Sequence, residues 1–158
     1  MKPLALGATV TACVAAAAGG GAITAQSLSS DWYSTLEKPS WQPPAALFGP
    51  VWSLLYAMIA VSGAVIFSRP GGQAMSARKL WGLQLGLNFA WTALFFGLRS
   101  PFGALVVIVA LWCAIIGYIR SARRVSKVAA GLFVPYAAWV SFAAALNAWI
   151  WWHNRAAE

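Results

Sequence analysis

Four of the ten tryptophans in this 158-residue chain lie well inside apolar stretches: Trp52, Trp91, Trp112 and Trp139. An indole ring at such a position offers a flat face for stacking and an N–H donor, which needs a partner or a polar cavity when buried. The remaining tryptophans mostly lie near the ends of apolar stretches, as is typical of aromatic belts at membrane interfaces. Each of the deep four therefore needs either a hydrogen-bond partner or a polar cavity, and Trp52, Trp91 and Trp139 are candidates for ligand binding.

Helical spacing aligns two of these tryptophans with smaller side chains. Trp52, Tyr56 and Gly63 recur at i, i+4 and i+11, so a helix places them on roughly one stripe, with a notch at the glycine. Trp139 and Ala143 share a second helical face at i and i+4. Aromatic walls with a small residue beside them are typical of a ligand pocket.

Two asparagines also fall inside apolar stretches. Asn88 precedes Trp91 by three residues, and Asn147 follows Trp139 by eight. An amide in hydrocarbon needs a donor and an acceptor, so we expect both side chains to point inward. Two interpretations remain open, because the amides can either hydrogen-bond between helices or orient a bound molecule.

Carboxylates and histidine are absent from the apolar stretches. The acids Asp31, Glu37 and Glu158 and the single histidine, His153, lie at or beyond the ends of these stretches. Ion-coupled transport and nucleophilic catalysis commonly need such groups at fixed positions, so the sequence does not favour either. No metal site and no obligatory cofactor are predicted, and enzymatic activity stays open.

The segment KPSWQPP, residues 38–44, separates the first two apolar stretches with three prolines and Trp41. Proline fixes φ and restricts the preceding residue, so the segment cannot continue as helix and loses less entropy on ordering than a flexible loop. We expect residues 27–44 to form a lid over the pocket, with Trp41 and Pro43 contacting ligand. The alternative is a rigid spacer with an interfacial tryptophan.

Composition places these residues in a membrane protein. Hydrophobic residues make up 61% of the chain and charged residues 9%, with a mean hydropathy of +0.70. Five stretches approach the ~20 residues that a spanning helix needs, which predicts an all-α, single-domain bundle of five transmembrane helices. The predicted spans are about 4–26, 45–68, 80–98, 102–120 and 128–152. The first stretch also permits a second interpretation, as a cleaved signal peptide.

The basic residues that give the chain its net charge of +8 lie mostly in the segments that connect these stretches. With five spans, eight of the eleven basic residues fall on the side of the N-terminus, which predicts the N-terminus inside and the C-terminus outside. Such charge indicates topology and contact with anionic lipid rather than nucleic-acid binding, and it favours a bacterial cytoplasmic membrane.

A stripe of small residues, Gly82, Gly86 and Ala90, runs along the third predicted span. Spacing by four lets helix backbones approach closely, either within the bundle or between two copies of the chain. Asn88 falls on a different side of the same helix.

Three blocks of sequence together resemble the tryptophan-rich sensory protein family, whose animal members are the translocator or peripheral benzodiazepine receptor proteins. They are WYSTLEKPSWQPPAALFGPVWSLLY (32–56), LNFAWTALFFG (87–97) and VPYAAWVSFAAALN (134–147). The resemblance implies five transmembrane helices and a homodimer paired through the third. It also implies a pocket for porphyrin, haem and isoquinoline-carboxamide or benzodiazepine drugs, and for sterols in animal members.

By the same resemblance, Trp52 and Trp139 match the tryptophans implicated in light-dependent porphyrin breakdown by bacterial members. Further residues match pocket positions: Tyr33, Asn88, Ala143 and Asn147. The family's proposed cholesterol motif is incomplete, because Ala148 stands where it has tyrosine. The leading hypothesis is a tetrapyrrole sensor or scavenger with possible photodegradation. A passive transporter of amphipathic molecules and a ligand-responsive regulatory partner of another membrane protein are the alternatives.

Overall fold

The computed structural model describes residues 1–155, and these residues contain helices and loops but no strand. The all-α prediction is confirmed. The helices are α1 (Pro3–Leu28), α2 (Asp31–Thr35), α3 (Ala45–Phe67), α4 (Met75–Thr92), α5 (Pro101–Arg123), α6 (Lys127–Gly131) and α7 (Val134–Asn154). A 3₁₀ turn precedes α4, and a π-helical turn, Ala93–Gly97, extends it.

Four helical segments among residues 1–155 are long and apolar enough to cross a membrane. They are α1, α3, α5 and the stretch Lys127–Asn154, which contains both α6 and α7. The sequence predicted five spans, and the helix that does not qualify is α4. The predicted span 80–98 begins earlier in the structure, at Met75, and so takes in Arg78 and Lys79.

Local signals account for several helix boundaries. Proline occupies the first turn of α1, α5 and α7, where its missing N–H removes no helical hydrogen bond. The Ser100 hydroxyl caps α5 by accepting from the N–H of Gly103 at 3.2 Å. Before it, Arg99 adopts a φ of 53°, which helps the chain reverse from α4 into α5. A further proline, Pro50, lies in the interior of α3, which begins at Ala45.

The helices pack mainly in sequential and antiparallel pairs: α1 against α3, α4 against α5, and α5 against α7. One end of the α1–α3 pair is fixed where the Thr9 hydroxyl donates to the carbonyl oxygen of Ala60 at 2.9 Å. Close by, Gly63 leaves room for Trp81, whose indole donates to the carbonyl oxygen of Ile59 at 2.9 Å. The notch predicted at Gly63 is therefore filled by protein, and Trp81 is a buried residue rather than an interfacial one.

Candidate functional site

A cavity of about 840 Å³ lies among α1, α3, α4 and α7, beneath the loop that joins α1 to α3. Its wall is mostly apolar and aromatic, and none of the residues 1–155 that line it carries a charge. Eight of the predicted site residues line it: Tyr33, Trp52, Tyr56, Asn88, Trp91, Trp139, Ala143 and Asn147. The fold thus brings together residues that are more than a hundred positions apart in sequence.

Asn88 connects two tyrosines across the middle of the site. The Tyr56 hydroxyl donates to Asn88 Oδ1 at 2.7 Å, and Asn88 Nδ2 donates to the Tyr136 hydroxyl at 3.2 Å. Asn88 is 2% exposed and Tyr136 is fully buried. The Asn88 amide therefore hydrogen-bonds to neighbouring helices, which is one of the two interpretations that the sequence left open.

Asn147 makes a second connection of the same kind. Its Oδ1 accepts from the Trp91 indole at 3.0 Å, and its Nδ2 donates to the carbonyl oxygen of Pro101 at 2.8 Å. The amide thereby links α7 to α4 and to the first residue of α5. Both asparagines border the cavity with their bonding groups already paired to protein.

Trp52 and Trp139 face the cavity from α3 and α7. Trp52 packs against Tyr56 with ring centroids 5.6 Å apart, and Trp139 packs against Phe48 at 5.7 Å. Phe142 is on the same helix as Trp139, and the centroids of the two rings are 5.7 Å apart. These neighbours hold each indole in a defined orientation, which a wall for a planar ligand requires.

The fourth deep tryptophan, Trp112, does not belong to this site. It is 39% exposed on the surface of the bundle, where its indole donates to the Ser141 hydroxyl at 2.8 Å. Hydropathy alone cannot separate it from the tryptophans of the cavity, because all four lie well inside their apolar stretches.

Two residues predicted to contact ligand, Trp41 and Pro43, are not among the lining residues. Trp41 is 47% exposed and rests edge-on against Phe142, with ring centroids 5.7 Å apart. The turn closed by the hydrogen bond from the Gln42 N–H to the carbonyl oxygen of Pro39 (3.0 Å) directs Gln42, not Trp41, into the cavity. The loop still covers the cavity, but through Tyr33 and Gln42.

The loop is tied to the end of α7 by one side chain, Asn154. The Glu37 N–H donates to Asn154 Oδ1 at 2.9 Å, and Asn154 Nδ2 donates to the Glu37 carbonyl oxygen at 3.1 Å. This pairing resembles the exchange of two hydrogen bonds between neighbouring strands. Sequence reasoning missed it, because no pattern in the chain marks an amide that bonds to a distant backbone.

A polar corner, formed by Tyr33, Lys38 and Gln42, lies at the loop end of the cavity. Gln42 Nε2 donates to the Tyr33 hydroxyl at 3.4 Å, and the Lys38 ammonium lies 4.6 Å from the centroid of the Tyr33 ring. Burial raises the pKa of the Tyr33 phenol above its ordinary value of 10.0, and the hydrogen bond from Gln42 partly opposes this shift. Tyr33 is therefore a protonated donor at neutral pH.

The cavity also extends to the side, between α1 and α3. Val14 and Leu28 of α1 are exposed and line it, as does Ser53 of α3. A Cβ atom added at Gly21 or at Gly49 would meet nothing within 4 Å, so there is open space beside both glycines. This space, near the loop end of α1 and α3, is the gap between the two helices.

The stripe of Gly82, Gly86 and Ala90 lies away from the cavity. Gly82 and Gly86 are exposed, and an added Cβ at either would meet nothing within 4 Å. Asn88 is buried on the other side of α4, as the helical spacing predicted. The stripe is thus available on the surface of the monomer.

Comparison with known proteins agrees with this geometry and confirms the resemblance read from the sequence. Residues 9–153 match the model of the TspO/MBR family. A tryptophan-rich protein TspO of Chlorobaculum tepidum is 40% identical over 146 residues, 91% of this chain and 92% of that protein. One from Archaeoglobus fulgidus is 41% identical over 93% of this chain and 95% of its own length. The human translocator protein is 38% identical over 78% of this chain and 75% of its own length. The chain is an integral membrane protein and belongs to the TspO/MBR family.

Proposed function

We propose that this protein binds flat tetrapyrroles, porphyrin or haem, within the bundle and acts as their sensor or scavenger. The observation that carries the proposal is the cavity of about 840 Å³, which is lined by Trp52 from α3 and by Trp139 from α7. Its volume falls in the upper part of the ~300–1,000 Å³ range of small-molecule sites. A planar ring stacked between Trp52 and Trp139 would bury its apolar faces without displacing the paired amides.

The proposal includes five membrane spans, with α4 as the third. With its π-helical turn, α4 covers 23 residues (18 + 5), long enough to cross hydrocarbon. Its low apolar content comes partly from Gln84 and Asn88, which are 0% and 2% exposed and so do not face lipid. Mean hydropathy therefore underestimates the ability of α4 to span a membrane. Five spans place the N-terminus inside and the C-terminus outside a bacterial cytoplasmic membrane, by the distribution of basic residues.

We also propose a homodimer paired through Gly82, Gly86 and Ala90. Small side chains spaced by four allow close approach between helices, and this stripe lies on the surface of the monomer. Replacing Gly86 by leucine should shift the mass of the detergent-solubilised protein toward the monomer. An unchanged dimer would remove this interface.

Light-dependent porphyrin breakdown is a further part of the proposal. Excited porphyrin can activate dioxygen or oxidise a neighbouring indole, so this chemistry needs ring contact rather than an acid–base pair. The double variant Trp52→Phe with Trp139→Phe should slow the loss of the Soret band of bound protoporphyrin under illumination. Trp112→Phe, outside the cavity, is the matched control. Decay that stays unchanged in the double variant would exclude a tryptophan-dependent reaction.

The gap between α1 and α3 favours a second candidate function, passive transfer of porphyrins or sterol-like molecules between the membrane and the cavity. The gap joins the cavity to the surface that lipid covers. Proteoliposomes separate the two functions. A sensor should bind protoporphyrin without raising its flux across the membrane, whereas a transporter should raise the flux in proportion to the protein reconstituted.

A further inference from the structure

The polar corner formed by Tyr33, Lys38 and Gln42 contains hydrogen-bond donors and acceptors that the described part of the protein does not pair. Gln42 Oε1 is buried, and among the described residues it has no hydrogen-bond partner. The Tyr33 hydroxyl accepts from Gln42 Nε2, which leaves its own proton directed elsewhere. Both side chains line the cavity. Buried polar groups normally find partners, so such a corner is suited to a ligand.

Lys38 adds positive charge next to this corner. Its ammonium donates to the neutral carbonyl oxygen of Leu36 at 3.1 Å, which occupies one of three protons. The ammonium lies over the Tyr33 ring, beside the lining rather than within it. Because none of the described lining residues is charged, the Lys38 ammonium beside this corner is suited to serve as the countercharge of an anionic group on a ligand.

We propose that the polar corner binds the carboxylate groups of a tetrapyrrole, an inference that rests on the proposed function. The Tyr33 hydroxyl and the Lys38 ammonium donate to the carboxylate, and Gln42 positions Tyr33. Gln42 Oε1 then accepts from the ammonium as Lys38 turns toward the ligand. The acid edge of the ligand faces the loop, and the apolar edge points inward between Trp52 and Trp139.

This orientation separates two kinds of contact. Stacking on the indoles is open to any flat apolar molecule, whereas the polar corner distinguishes an acid from its ester. Hydrogen bonds to charged groups are roughly twice as strong as neutral ones, and the corner is only partly shielded from water. We therefore expect the protein to prefer the free acid over the ester by about tenfold.

The experiment compares protoporphyrin IX with its dimethyl ester, by quenching of tryptophan fluorescence in nanodiscs of neutral lipid. Wild type should bind the acid about tenfold more tightly than the ester. Tyr33→Phe and Lys38→Met should each reduce this ratio at least threefold and leave ester affinity within about twofold of wild type. The ester measured in each variant reports whether the cavity remains folded.

Arg99→Met is the matched control. Arg99 lies in the α4–α5 connection, on the same side of the bundle by the five-span arrangement. It takes no part in the hydrogen bonds of the polar corner, so its removal should leave the ratio unchanged. A wild-type ratio near one, or a ratio equally reduced by Arg99→Met, would overturn the polar corner while leaving porphyrin binding intact. Binding of neither compound would instead overturn the proposed function.

Discussion

Replacing Asn154 by alanine should release the loop that covers the cavity and speed ligand exchange in both directions. The side chain makes two hydrogen bonds to the backbone of Glu37, at 2.9 and 3.1 Å. Each contributes about 0.5–1.5 kcal/mol, and exposure to water places this pair near the lower half of that range. Loss of both bonds should therefore destabilise the closed loop relative to the open loop by about 1–2 kcal/mol. At ~1.4 kcal/mol per factor of ten, the population with an open loop should rise about 5- to 30-fold.

Asn154→Ala should change the rate constants of ligand association and dissociation but not the affinity for the ligand. The loop loses the same bonds with and without ligand, so both the association and the dissociation rate constants rise by about 5- to 30-fold. Their ratio stays within about twofold as long as the closed loop predominates. Stopped-flow quenching of tryptophan fluorescence by protoporphyrin measures both rates. His153→Ala is the control, since His153 stacks on Trp149 and makes no hydrogen bond to the loop.

Unchanged rates in Asn154→Ala would refute opening of the loop as the route of exchange. The gap between α1 and α3 would then be the remaining opening of the cavity. Gly21→Leu distinguishes the two routes, because an added Cβ there meets nothing within 4 Å and the longer side chain narrows the gap without a clash at Cβ. Slower exchange in Gly21→Leu alone would assign entry to the membrane side.

Three further outcomes are expected. Gly63→Ala places a Cβ 2.5 Å from the Trp81 indole nitrogen and should cost about 2–4 kcal/mol of unfolding free energy, measured by thermal or SDS titration. Gly7→Ala, where an added Cβ meets nothing within 4 Å, is the control and should cost nothing measurable. Asn147→Leu leaves an indole N–H and a carbonyl oxygen unpaired and should cost about 2–4 kcal/mol in the same assay; a loss under 0.5 kcal/mol would contradict its role as a link. Burial raises the pKa of the Tyr33 phenol above 10.0, so the hydroxyl keeps the proton that it donates to the ligand at any pH below that value. The ratio of acid affinity to ester affinity should therefore stay constant from about pH 7 to 9 and fall above about pH 10.

The helices and their inward faces could largely be predicted from sequence. Apolar length located the long α-helices to within a few residues, except at the start of α4 and at the break between α6 and α7. It did not locate the short helix α2, which lies in the predicted loop 27–44. The cost of an unpaired amide in hydrocarbon predicted that Asn88 and Asn147 are buried. Both conclusions depend on local sequence and on the solvent around it.

Features that depend on which helices meet could not be predicted. Gly63 and Trp81 are both visible in the sequence, but their complementarity arises only where α3 crosses α4. Trp112 and Trp139 differ in the neighbours of their helices, not in their depth, so only the fold assigns one to the surface and the other to the cavity. The direction of Gln42 depends on a loop turn that proline content leaves undetermined.

The distribution of satisfied and unsatisfied polar groups determines how this cavity can select ligands. In its middle, Asn88 and Asn147 bond to protein, and a ligand that competed for them would have to break bonds that hold α4 and α7 in place. Selection there rests on shape and stacking, which distinguish flat molecules from bulky ones but not one flat molecule from another. At the loop end, Gln42 Oε1 has no hydrogen-bond partner within residues 1–155, so chemical discrimination can be gained there without loss of fold stability. Substitutions at the polar corner should therefore change which flat molecule is preferred, whereas substitutions of the two asparagines should destabilise the bundle before they change preference.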